Sequence, residues 1–293
     1  MTSIVSVGVG LSFVAMLAWG IGDFLIQKSS RRLGDWETLF VVTLFITIIL
    51  VPFEWRALPG LLSQSKDLYI LLGSAIFLTV AAIFEIESFK RGKMSVVEPM
   101  LPFEIPAAAI LAAVILGDKV TGAQAALVAS LIIGLVLVSF TGRIFSMRYF
   151  LEKGVILGLT GAAFMGVADF LLGWGSRATD PLLATFVQNG VMMIISLAVL
   201  AASGGGRKLI RDVKANSGLV LMMSIADNVG WVGYAFAMSI VPIAVATGLS
   251  ESSCIIAVLL GIFVNREKLQ RHQKTGLVLA ICSAIALAFV TAS

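Results

Sequence analysis

The sequence predicts an all-α polytopic membrane protein: ten transmembrane helices arranged as two inverted five-helix repeats. Three observations carry that prediction. Apolar runs near 20 residues recur from end to end, each long enough to cross ~30 Å of hydrocarbon as helix. Charged residues make up 13% of the 293 and mean hydropathy is +1.02, whereas an average soluble domain is about 25% charged. Short stretches of the first half also recur in the second at a nearly constant offset, as in a duplicated unit.

Taken in order, the spans fall at about 4–26, 37–53, 68–89, 95–116, 122–140, 154–175, 181–202, 217–240, 243–264 and 275–291. The first carries Trp19-Gly20-Ile21-Gly22-Asp23-Phe24-Leu25, which matches Met165-Gly166-Val167-Ala168-Asp169-Phe170-Leu171 of the sixth at an offset of 146. Arg31 and Arg177 match at the same offset. After the fourth span, Gly117-Asp118-Lys119 through Gln124 lines up with Arg266-Glu267-Lys268 through Gln273 after the ninth, at an offset of 149. The repeats therefore read as 1–145 and 146–293. The fourth span holds Pro99, Pro102 and Pro106. Proline removes a helical hydrogen bond and clashes with the preceding turn, so a break is expected there. Broken helices are tolerated inside a membrane only where protein or a water-filled cavity satisfies the backbone.

An odd number of spans per repeat inserts the second half with opposite polarity, and loop charges agree. Loops 1–2, 3–4, 5–6, 7–8 and 9–10 carry 17 Lys and Arg, while loops 2–3, 4–5, 6–7 and 8–9 carry 4. The positive-inside rule places the basic loops in the cytoplasm and both termini outside a cell (inner or plasma) membrane. The net charge of +4 is thus a topological anchor, with no nucleic-acid partner implied. No basic n-region precedes the first apolar run, so no cleaved signal peptide is expected. Cys254 and Cys282 read as reduced packing residues within helices. The single histidine, His272, lies in a loop, so neither a His-based metal site nor a catalytic triad can be assembled. Gly204-Gly205-Gly206 lacks the pattern of a phosphate loop and reads as a loop hinge.

Eight carboxylates lie inside the spans without an intramembrane base: Asp23, Glu85, Glu87, Glu98, Glu104, Asp169, Asp227 and Glu251. Each costs roughly 2.5–3.5 kcal/mol at the bilayer centre on insertion scales, so each must face water, face a cation or hold a proton. Glu87 precedes Lys90 and Arg91 at helix-pairing distance, an ordinary interfacial arrangement. Asp227, Trp231, Tyr234 and Met238 follow the spacing that stacks side chains on one helix face. An acid followed by two aromatics suits an amine or quaternary ammonium, although such stripes are also common in cores. Asn228 adjoins Asp227 and is placed to orient it. Trp19 stands one turn from Asp23. Asp23 and Asp169 sit toward the ends of their spans and read as a gate pair near the helix mouths. Glu98 sits beside the proline break, and Glu251 matches Pro102 in the repeat, so the two occupy equivalent faces. Glu85 aligns with Tyr234 in the repeat. Glu104 is undecided between the site and a hydrogen bond to a neighbouring helix. Substrate and proton binding are accordingly expected at Glu98, Glu251, Asp227 and Glu85, with Trp231, Tyr234, Trp19 and Asn228.

Ten spans in two halves, with the Trp-Gly-x-x-Asp-type first helix and the acid–base–Gln closure at Ile115-Leu116-Gly117-Asp118-Lys119 and Phe263-Val264-Asn265-Arg266-Glu267-Lys268, resemble the drug/metabolite transporter superfamily, in particular its EamA-type members. Asp118 departs mildly from the usual Glu. The resemblance spans the chain and implies a proton-coupled or exchange carrier of small metabolites, often an exporter, and no enzyme or cofactor. The expected function is an alternating-access secondary transporter of small cationic or zwitterionic metabolites such as amino acids or amines. Its rivals are the same fold carrying neutral metabolites or sugar derivatives on protonated carboxylates, and a non-transporting membrane receptor or subunit.

Overall fold

A computed structural model describes residues 2–91, 98–139, 153–204, 206–264 and 269–293, and among these the chain is helical with short turns and no strand. In chain order the helices are α1 (Thr2–Leu33), α2 (Asp35–Glu54), α3 (Leu58–Ser63) and α4 (Ser65–Arg91). A 3₁₀ turn (Glu98–Phe103), α5 (Glu104–Leu111) and a π turn (Ala112–Leu116) follow, then α6 (Gly122–Ser139). The second half holds α7 (Lys153–Ala178), α8 (Pro181–Ser203), α9 (Gly206–Ala215), α10 (Ser217–Ile240), α11 (Ile243–Ser250), α12 (Ser253–Val264) and α13 (Arg271–Ala292).

Among the described residues, eight helices are long and apolar enough to cross a membrane: α1, α2, α4, α6, α7, α8, α10 and α13. The fourth and ninth predicted spans are both broken. The fourth is broken where its prolines require, with Pro102 inside the 3₁₀ turn. The ninth, expected to be continuous, is interrupted at Glu251–Ser252 without any proline. There the backbone tightens to i→i−3 bonds, Ser252 N–H to Leu249 O at 3.3 Å and Ile255 N–H to Ser252 O at 2.9 Å. The Ser252 hydroxyl takes the freed Gly248 carbonyl at 2.8 Å. Serine side chains that bond the backbone locally compete with helix in this way.

Helix ends follow local rules. Asp180 caps α8 by accepting from Leu182 N–H at 2.8 Å and Leu183 N–H at 3.4 Å, and Pro181 supplies the first helical φ. Gly204, at φ 70°, closes the same helix in the left-handed region, where glycine carries no Cβ penalty. His272 lies in the first turn of α13 instead of a loop. Cys282 is exposed on the outside of α13 and so is not a packing residue.

The packing is built from helix pairs: α1 along α10, α4 along α7, α2 along α8 and α6 along α13. Exchanging the halves swaps α1 with α7, α4 with α10, α2 with α8 and α6 with α13, and turns this set of pairs into itself. In lipid, such contacts rely on close packing and small residues more than on burial of apolar area. At the α6–α13 contact a Cβ on Gly134 would lie 2.6 Å from Ala280 N, and one on Gly276 2.7 Å from Val138 N. Ser283 donates to Ser130 across the same contact at 2.8 Å.

The matching glutamines explain themselves here. Gln124 and Gln273 each accept from the N-terminal N–H of their own helix, at Thr121 and Gln270, both 2.9 Å. Each then donates to the last turns of the other helix, Gln124 to Thr291 Oγ1 at 3.1 Å and Gln273 to Val138 O at 3.2 Å. The repeated Gln is a fastener of the helix pair.

Candidate functional site

Four carboxyl groups converge where the two halves meet. Glu85 comes from α4, Glu104 from the first residue of α5, Asp169 from α7 and Glu251 from the break after α11. Glu104 is 7% exposed and Asp169 2%, with Glu85 and Glu251 half-buried. Glu251 is the hub, interacting electrostatically with Glu85, Glu104 and Asp169, while Glu104 also faces Glu85 and Asp169. The Glu104 and Glu251 carboxyls lie against one another. Asp169 Oδ2 is buried with no hydrogen-bond partner. Among the described residues no Lys or Arg enters the cluster.

The local folding places these groups. Both breaks fall at equivalent positions of the repeat, so Glu104 and Glu251 emerge where helix regularity lapses. Gly166 lets α7 lie directly on α5, since a Cβ there would be 2.6 Å from the Glu104 carbonyl. Gly161 does the same for α4, where a Cβ would lie 3.4 Å from Glu85 N. Ser74 donates to Ala168 O at 3.0 Å, tying α4 to α7 one residue from Asp169.

An aromatic group borders the cluster. Trp19 stands edge-on to Trp231 and to Tyr234, with ring centroids 5.1 Å apart in each case, and Trp231 lies 6.2 Å from Tyr234. Such edge-to-face pairs suit the ring quadrupoles. Tyr234 is fully buried. Its hydroxyl shares a hydrogen bond with Thr247 Oγ1 at 2.8 Å, in which either oxygen can donate. Tyr234 faces Asp169, Glu251 and Glu104, and so joins the aromatics to the carboxyls. At the other end of the stripe Asp227 is buried, and the Trp231 indole N–H is directed toward it. Trp19 owes its position to Gly230, where a Cβ would be 2.4 Å from the indole.

Several expectations are corrected. Asp169 is buried among the carboxyls and not at a helix mouth, because α7 continues nine residues beyond it to Ala178. Asn228 does not orient Asp227: its amide donates to Val42 O at 3.1 Å and Ser224 O at 2.8 Å, linking α10 to α2. Asp23 lies on α1, and Glu98 opens the 3₁₀ turn; both side chains are outside the described residues, as are those of Lys90 and Arg91, the expected partners of Glu87. Glu104, undecided on sequence grounds, sits at the centre of the cluster; its place beside the prolines was the signal. Gln188 of α8 was not anticipated. It is fully buried with both amide atoms unpartnered, and nothing in an apolar span marks a glutamine as special.

A polar knot closes the bundle at the far end of α7. Arg177 clasps Asp118, Nη1 to Oδ1 and Nη2 to Oδ2 at 3.1 Å, and donates to Met238 O at 2.7 Å and Val241 O at 2.9 Å. Asp118 Oδ2 also accepts from Ile243 N–H at 3.0 Å. The knot joins the end of the fourth span to the α10–α11 junction, one half to the other.

Membrane-length helices around a base-free carboxyl cluster define a multi-pass membrane protein with a polar interior. The family profile described as EamA-like transporter family matches residues 6–140 and again 152–289. The chain belongs to that family, whose members are membrane transporters of small molecules. A solved crystal structure superposes with a TM-score of 0.71 at 11% identity, covering 97% of each chain, which establishes the shared fold. No curated protein matches the sequence.

Proposed function

We propose that the chain is an alternating-access secondary carrier for small organic cations or zwitterions bearing an amine, such as amino acids or amines, working as a proton-coupled exporter or exchanger. The observation that carries this reading is the meeting of Glu85, Glu104, Asp169 and Glu251 without a base. An ammonium group is the complement such a cluster lacks, and the faces of Trp19, Trp231 and Tyr234 add cation–π attraction. Asp227 supplies a second anionic station at the other end of the aromatic stripe. Proton and substrate then compete for the same carboxyls. A lone acid in hydrocarbon is costly enough to mark a transport path by default.

The accompanying topology is ten crossings in two inverted repeats, 1–145 and 146–293, in the cell membrane with basic loops cytoplasmic and both termini outside. The self-consistent helix pairing and the two equivalent breaks support it, since broken helices at repeat interfaces mark binding sites in secondary transporters.

The test is flux in proteoliposomes under an imposed pH gradient, with radiolabelled amines, amino acids and neutral sugars. Movement of amines driven by the proton gradient, abolished in Glu251→Gln, is the expected result. Flux of neutral solutes alone would refute the cation reading. The close approach of Glu104 and Glu251 favours one alternative: protonated carboxyls binding a neutral metabolite. In that case Glu251→Gln keeps binding, since an amide can still hydrogen-bond a neutral solute.

A further inference from the structure

Helix α9 (Gly206–Ala215) joins two membrane-length helices, α8 and α10, and therefore lies at a membrane surface whatever the carrier moves. Its ten residues contain four bases and one acid. At 100° per residue, Leu209, Ile210 and Val213 form one stripe, Lys214 flanks it on the Ile210 side and Arg211 lies on the opposite face. Leu209 and Val213 are half-buried against the protein, whereas Ile210 is 61% exposed. Of the stripe, Ile210 is thus left for the acyl boundary while the bases face the headgroups, the division of an interfacial helix.

The helix is pinned beside the end of α1. Lys208 Nζ approaches Glu37 Oε1 at 3.9 Å, and Arg32 Nη1 donates to Asn216 Oδ1 at 2.7 Å immediately after α9. Asn216 in turn closes α9 by donating to Asp212 O at 2.9 Å. These ties gather Lys28, Arg31 and Arg32 of α1 on the same side as Lys208, Arg211 and Lys214. Lys208 is spoken for by Glu37 and Arg211 by Asp212 at 3.0 Å. Among the described residues, Lys28, Arg31 and Lys214 are exposed and have no carboxylate partner. The excess of cations is local and exposed at the membrane surface.

We propose that this notch between the end of α1 and α9 binds the phosphodiester headgroup of an anionic phospholipid, with Ile210 entering the acyl boundary beneath it. A lipid fits better than a free anion because the apolar stripe and the cations occur on one short helix at the bilayer surface. Basic pockets between transmembrane helices hold anionic headgroups by this combination.

Purified full-length protein in a neutral detergent is titrated with fluorescent phosphatidylglycerol, and with phosphatidylcholine carrying the same fluorophore. The expected result is preference for phosphatidylglycerol, weakened about fivefold per base in Arg31→Gln and Lys214→Gln. The reciprocal exchange Arg31→Lys with Lys214→Arg should keep it, which controls for loss of fold. Neutralising Arg271 and Lys274, two exposed bases at the start of α13, should leave it unchanged. Three results would each overturn the proposal: no preference between the lipids, equal loss on neutralising Arg271 and Lys274, or displacement of the lipid by inorganic phosphate.

Discussion

Removing one side of the Arg177–Asp118 knot should cost more than the loss of an ordinary surface ion pair. Exposed pairs contribute about 0–1 kcal/mol, whereas breaking a buried pair from one side costs about 3–5 kcal/mol. The two side chains are 25% and 13% exposed, between those limits but nearer the buried one. Asp118→Ala strips Arg177 of two charge-assisted bonds and leaves the Ile243 N–H without its acceptor. At about 1.5–3 kcal/mol per hydrogen bond to a charged group, discounted for residual exposure, the expected loss is about 2–4 kcal/mol. Arg177→Met keeps the aliphatic stem but gives up the carbonyls of Met238 and Val241 as well, so its cost should be similar. The double variant should cost less than the sum by about 1.5–3 kcal/mol, the coupling between the partners. Sodium dodecyl sulfate titration of the purified protein, read by far-ultraviolet circular dichroism, measures all three. A coupling below about 0.5 kcal/mol would show that the knot is a solvated contact and that nothing rests on it.

Two glycine substitutions test the packing that positions the site. Gly276→Ala would set a Cβ 2.7 Å from Val138 N and 2.8 Å from Gly134 O; backbone atoms cannot swing aside, so a loss of about 1–3 kcal/mol is expected in the same titration. Gly230→Ala would press on the Trp19 indole at 2.4 Å. It should change tryptophan fluorescence and weaken binding of an alkylammonium probe at least about tenfold, the equivalent of about 1.4 kcal/mol, although Asp227 is untouched. Unaltered probe binding in a folded Gly230→Ala protein would remove Trp19 from the site. Tyr234→Phe deletes the hydroxyl bonded to Thr247 and should cost about 1 kcal/mol in stability while retaining the ring contacts; a larger loss would assign the hydroxyl a further partner.

Much of the fold was legible because lipid imposes simple demands. A span must be long, apolar and helical, and a duplicated chain repeats its signals, so Asp23 with Asp169 and Gln124 with Gln273 exposed the two halves. The break at Glu251 was not legible as a break. Proline announces itself in the fourth span, but in the ninth the interruption coincides with Ser252 bonding the Gly248 carbonyl, and serines in a membrane helix equally signal close packing. The site was readable in kind more than in membership. Trp231 and Tyr234 lie together as their spacing suggested, whereas the arrival of Trp19 from α1 beside them is a contact between helices that spacing along one helix does not encode. Asp169 was misplaced because distance from a span's end measured along the sequence says little when the helix runs on. Asn228 was misassigned because adjacency on one helix cannot reveal a carbonyl such as that of Val42 on another. Gln188 left no trace in the pattern.

The two glutamines that staple α6 to α13 also constrain how the molecule is to be handled. With glycine backbones in contact midway and a side-chain tether at each end, the pair is a splint held at both ends, with no slack in between. Shape change between the halves has to be absorbed elsewhere, along α1–α10, α4–α7 and α2–α8. One of the two tethers ends on Thr291, two residues before Ser293. A purification tag, fluorescent protein or truncation placed there acts on a fastening of the bundle.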